Sequence, residues 1–129
     1  MKQPERFPPD DPREWINRAR SNLAIARTLV SNAYFEDLCF DAQQAAEKAI
    51  KAVMIRRGID FPYIHDLERL LTILKSDGQA IPEELWRAVG LTVYATITRY
   101  PGTAPVSAKD HAKAIEIAEM VLGWAEEQI

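Results

Sequence analysis

Apolar or small side chains at Phe35, Leu38, Cys39, Ala42, Ala45, Ala46, Ala49, Ile50, Val53 and Met54 recur at steps of three and four. That is the spacing of a helix turning a wide stripe to a core, whereas a strand would alternate at every second position. The other face carries Asp41, Gln43, Gln44, Glu47, Lys48 and Lys51 and reads as solvated. Glu47 stands one turn before Lys51, placed for an intrahelical ion pair of ~0.3 kcal/mol. The helix is expected from about Tyr34 to Arg57, with Arg56 and Arg57 at its carbonyl end and Gly58 in the left-handed stop position.

Four more helices follow from the same kind of pattern. Residues 1–10 hold Pro4, Pro8 and Pro9 and read as an extended, mobile tail, leaving 11–129 as a single domain. Asp11, Pro12 and Glu14 have capping-box spacing, with proline at the first helical position. The line Trp15, Ile16, Ala19, Leu23, Ala26, Val30 then carries a first helix to about Ser31. Asn32 and Ala33 are left as a very short connection, so the first two helices are expected to be antiparallel neighbours. Pro62 breaks the chain before a short helix that opens at His65–Leu67 and buries Leu67, Leu70, Leu71 and Leu74. Pro82 opens a fourth helix along Leu85, Trp86, Val89, Leu91, Val93 and Ile97, stopping at Tyr100 before Pro101 and Gly102. Ser107 and Asp110 cap a last helix lined by Ile115, Ala118, Val121, Leu122, Ala125 and Ile129. The sum is an all-α, antiparallel up-and-down bundle of four long helices plus one short one.

Composition leaves this picture in place. The chain has 129 residues, 47% hydrophobic and 27% charged, a globular rather than disordered balance. No apolar run is long enough to span a membrane, and the N-terminus lacks the apolar core of a secretory signal, so a cytoplasmic protein is expected. The single cysteine, Cys39, excludes an internal disulfide and reads as a buried small hydrophobe. The net charge of -3 is uneven: residues 1–31 hold six basic and four acidic side chains, residues 107–129 two basic and five acidic. Clustered Lys and Arg of the kind that bind nucleic acid non-specifically do not occur in a run. An RNA ligand is therefore expected to need a local patch or an oligomer.

Few residues offer chemistry. His65 opens the third helix and reads as a cap or a packed histidine; His111, in the first turn of the last helix, reads as solvated. Two histidines and one buried cysteine give no zinc set, so no metal and no cofactor is expected. The glycines are isolated, without a phosphate-cradling loop. Arg99 and Tyr100 end a helix at a Pro-Gly break, where an arginine either bonds the last carbonyls or binds phosphate. Lys48 and Lys51 lie on the polar face, either simply solvated or presenting a small basic patch.

Four pieces in order, QQAAEKAIKAV, RRGIDFPYIHDLERLL, TVYATITRYPGT and SAKDHAKAIEIAEMVLGWAEEQI, closely resemble the prokaryotic HEPN domain over about residues 12–129. The resemblance implies a helical bundle that pairs through its helices into a homodimer. It also implies a place in a toxin–antitoxin module beside a minimal nucleotidyltransferase, with the chain acting by binding that partner. Many family members are metal-independent ribonucleases whose Arg and His are separated by four to six residues. Here the intervals from Arg57 to His65 and from Arg99 to His111 are longer; Arg99 is nearest the expected place, with residues 101–105 where its His would lie. Two further readings follow from the resemblance: a ribonuclease whose site is displaced, with Arg99, His65 and His111 as candidates, and a nucleotide- or phosphate-binding module using Arg99, Tyr100, Lys48 and Lys51.

Overall fold

In the computed structural model, which describes every residue except Ile97 and Arg99, five helices form the bundle and no strand occurs among the described residues. Four are α-helical: α1 Pro12–Ala26, α2 Phe35–Arg56, α3 Leu67–Ser76 and α4 Ala108–Gln128. Between α3 and α4 runs a 3-10 helix, Glu83–Ala95. The helix α2 is the centre. It packs against α1, α3, α4 and the 3-10 helix, and Ala42, Ala45, Ala46, Ala49 and Ile50 are wholly buried along it. Small residues on the stripe let the neighbouring helices approach, while Ile50, Val53 and Met54 fill the space toward Leu67, Leu70, Leu71 and Leu74.

Local signals set most helix ends. Ser107 and Asp110 form a reciprocal capping box on α4. Asp66 caps α3 by accepting from the Arg69 amide, so His65 lies just outside that helix. Asp11 caps α1, but Glu14 does not reach back to it; its carboxylate accepts from the Phe7 amide at 2.9 Å. Gly58 follows α2 at φ 72°, its amide bonded to the Ile55 carbonyl.

Three further expectations differ. The helix α1 ends at Ala26, a turn earlier than its apolar line suggested, and Val30 is exposed. The connection to α2 is accordingly longer, and Asn32 supplies its left-handed turn at φ 68°. The fourth helix is 3-10 rather than α-helical. Its buried residues are Leu85, Ala88 and Leu91, a step of three that matches three residues per turn, so Val89 and Val93 do not form the stripe. Finally, the polar face of α2 is not solvated: Gln43, Glu47 and Lys51 are buried, because α1 and the segment before α3 lie over it.

Candidate functional site

The covered face of α2 holds the one buried cluster of charge among the described residues. Gln43, Glu47 and Lys51 follow one another at successive turns, so their side chains share a strip. The Glu47 carboxylate is saturated. Its Oε1 accepts from Gln43 Nε2 at 3.0 Å and faces His65 Nδ1 at 2.8 Å, while Oε2 accepts from Lys51 Nζ at 2.9 Å. Gln43 is itself oriented by Gln44, whose Nε2 donates to its Oε1. Lys51 Nζ also stands 5.0 Å from the centre of the Phe61 ring, a cation–π contact that helps to hold a charge away from water.

Burial by itself pushes the Glu47 carboxyl up, but hydrogen bonds from His65, Lys51 and Gln43 outweigh it and hold the group below its ordinary value. Glu47 is therefore a carboxylate that only accepts, and the proton between it and His65 belongs to His65 Nδ1. That assignment leaves Nε2 as the nitrogen with a lone pair when the ring is neutral. The side chain of Glu47 is 5% exposed and that of His65 57%, so a buried anion orients an imidazole that opens to solvent. A fixed tautomer with an open Nε2 is the arrangement of a general base.

The other candidate residues separate. His111 is buried rather than solvated: its Nε2 lies 2.7 Å from the Ala26 carbonyl and its ring packs on Phe35. A carbonyl only accepts, so Nε2 carries the proton and His111 ties α4 to the end of α1. Lys48 is half-buried, its Nζ 2.7 Å from Asn22 Oδ1, and Asn22 in turn donates to Asp41. Burial pushes the Lys48 ammonium below its ordinary value. Tyr100 is exposed on a groove of about 400 Å³ with Tyr34, Phe35 and Val106 in its walls. Arg99 lies outside the described residues. Arg57 is spent on the end of α3, bonded to Asp77 and Gln79.

Glu47 is the residue that sequence reasoning missed as a site. The signal was present in the Gln43–Glu47–Lys51 ladder, one polar line inside an alanine-rich helix, together with Phe61 and Tyr63 just before His65. Among the described residues no group of three or more His, Cys, Asp and Glu side chains is placed to hold a metal ion. Nor, among them, is any helix long and apolar enough to cross a membrane.

The HEPN domain profile matches residues 12–128. Among solved structures, TT1696 from Thermus thermophilus superposes with a TM-score of 0.77 at 32% identity, over 92% of this chain and 98% of that one. ST0689, described as an archaeal HEPN homologue, gives 0.72 at 29% identity, over 92% and 97%. A protein of Methanocaldococcus jannaschii named "Putative toxin MJ1304" is 40% identical over 47 residues, which span 36% of this chain and 31% of that protein.

Proposed function

Because the chain belongs to the HEPN family, we propose that it is the HEPN component of a toxin–antitoxin type module, acting on RNA at the Glu47–His65 pair and bound by a nucleotidyltransferase partner. The observation that carries the reading is the buried Glu47 carboxylate fixing Nδ1–H of a solvent-open His65. An imidazole so held takes a proton from the 2′-hydroxyl of RNA at Nε2. The oxygen then attacks the adjacent phosphorus, forming a 2′,3′-cyclic phosphate as the bond to the 5′-oxygen breaks, and the departing 5′-oxygen takes a proton from water. Glu47 stabilises the imidazolium that forms. The nucleophile belongs to the substrate, so the step needs no metal. The relative named "Putative toxin MJ1304" supports the module, and the family resemblance supports the partner.

Incubation with single-stranded RNA in EDTA tests the chemistry. Cleavage is expected, falling by about 10²-fold or more in His65→Ala, the scale on which a general base acts. No cleavage by the parent protein, or an unchanged rate in His65→Ala, removes the catalytic reading. Co-expression with a nucleotidyltransferase encoded beside it tests the partner, which is expected to co-purify in fixed stoichiometry.

A binding module without catalysis is the second reading. It is favoured by the spacing of the chain's arginines, none of which precedes a histidine at the family interval, and by the engagement of Arg57 with Asp77 and Gln79. RNA that binds and is recovered intact would support it.

A further inference from the structure

His65 stands at the end of a run of aromatic rings that the Glu47 cluster does not explain. Trp15 meets Phe61 edge-on with ring centres 5.2 Å apart, and Phe61 meets Tyr63 in the same manner at 6.4 Å. Tyr63 is 97% exposed. A tyrosine so open contributes almost nothing to the core, yet it lies two residues before the candidate base. On the far side of Trp15 the N-terminal segment closes in, the indole Nε1 donating to the Pro9 carbonyl at 2.7 Å. Phe7, Pro9, Glu14, Trp15, Arg18 and Lys48 line a groove there of about 340 Å³, near the lower end of the range for small-ligand sites. A single nucleotide unit is of that order.

Cations flank the rings. Lys51 sits over Phe61, and Lys48 is held by the amide oxygen of Asn22. Arg18 bonds Glu14, whose carboxylate is shared with the Phe7 amide. Flat rings beside spaced positive charges match a ligand that alternates ring faces with negative charges. An acidic peptide would use the cations and leave the rings idle; an apolar peptide would do the reverse.

We infer that the strip Trp15–Phe61–Tyr63, edged by Arg18 and Lys48, binds single-stranded RNA, with one base stacked on Tyr63 and a phosphate further along the strand, at the Trp15 end, meeting Lys48. The inference rests on the proposed action on RNA and assigns the strand its path to His65. Stacking is open to any base with a free face, which a duplex does not provide. A phosphate oxygen at Lys48 would also offset the burial that now disfavours its charge.

Fluorescence anisotropy with a 5′-labelled single-stranded 12-nucleotide RNA, and with the same strand in duplex, tests it. The single strand is expected to bind more tightly. Tyr63→Ala is expected to weaken it about 5- to 100-fold, the scale of one lost stack, and Lys48→Met to weaken it with a shallower salt dependence. Tyr34→Ala removes a tyrosine that is 73% exposed at the opposite end of α2 and should leave affinity unchanged. Equal affinity for strand and duplex, no binding of either, or an affinity indifferent to Tyr63→Ala overturns the inference. Tyr63 is too exposed for its loss to unfold the chain, and circular dichroism checks this. Strand binding that depends on Tyr63 without cleavage ends the catalytic proposal alone; cleavage with Tyr63-independent binding ends this one alone.

Discussion

A buried carboxylate with three donors is a residue whose loss is felt twice, once in stability and once in the tautomer of His65. Glu47→Ala leaves Lys51 buried without its counter-charge, and breaking such a pair costs about 3–5 kcal/mol. Chemical denaturation should show a shift of that order. Replacing both partners with apolar residues, Glu47→Leu with Lys51→Met, should restore most of it, because the desolvation cost then disappears with the charges. The pH dependence has a definite sign. Glu47 is held below its ordinary value of 4.5, so the unfolded chain binds its proton first as pH falls. The stability it contributes is complete above that value and is lost as pH drops through the lower folded value. Denaturant midpoints at pH 7 and pH 3 should therefore differ more for the parent than for the Leu/Met double variant. Cys39 makes a separate case. Burial pushes its thiol up to about 12, and thiolate is the reactive form. A thiol-specific reagent at pH 8 should label it only as fast as the chain opens, and at once in denaturant.

At the scale of the helix, stability should follow the ends and the exposed glycine. Ser107→Ala removes one half of the capping box and should cost about 1 kcal/mol. Gly123 lies exposed inside α4, and a Cβ built there meets no atom within 4 Å. Gly123→Ala should therefore stabilise by about 0.8–1 kcal/mol, the helix-propensity difference. The same change at Gly58, whose φ is 72°, should destabilise. Thermal melts of the three variants separate these outcomes. The elements most open to sequence reading are those whose cause is local. The stripe of α2 and the Ser107–Asp110 cap are contained within a few turns, and both are found as expected. The 3-10 helix was hidden because Leu85, Ala88 and Leu91 fit a step of three only once Ala88 is known to be buried, and alanine carries little signal. The polar face of α2 misled for a different reason. Its burial depends on α1 and on Phe61 and His65, distant in sequence from Glu47 and brought over it by the Pro62 turn.

For the whole molecule, charge decides what kind of RNA binding is open to it. A net charge of -3 gives no general attraction to a polyanion, so any affinity must come from the local strip around Trp15 and Phe61 and survive repulsion from the rest of the surface. The acidic balance of residues 107–129, two basic against five acidic, makes the α4 face a poor path for a strand. It also explains why overall composition gave no hint of RNA: the cations that matter, Arg18 and Lys48, come from α1 and α2 and are not consecutive. If those two meet phosphates, single-strand binding should weaken with salt at a log–log slope of about -1.4, from roughly 0.7 per phosphate contact. The stacking part of the affinity should persist at high salt, because ring contacts release few ions. Anisotropy titrations from low to moderate salt measure both quantities together. A slope near zero would place the strand away from these cations. A slope several times steeper would require a larger basic surface than one copy of this chain presents, and would point to RNA held across two copies.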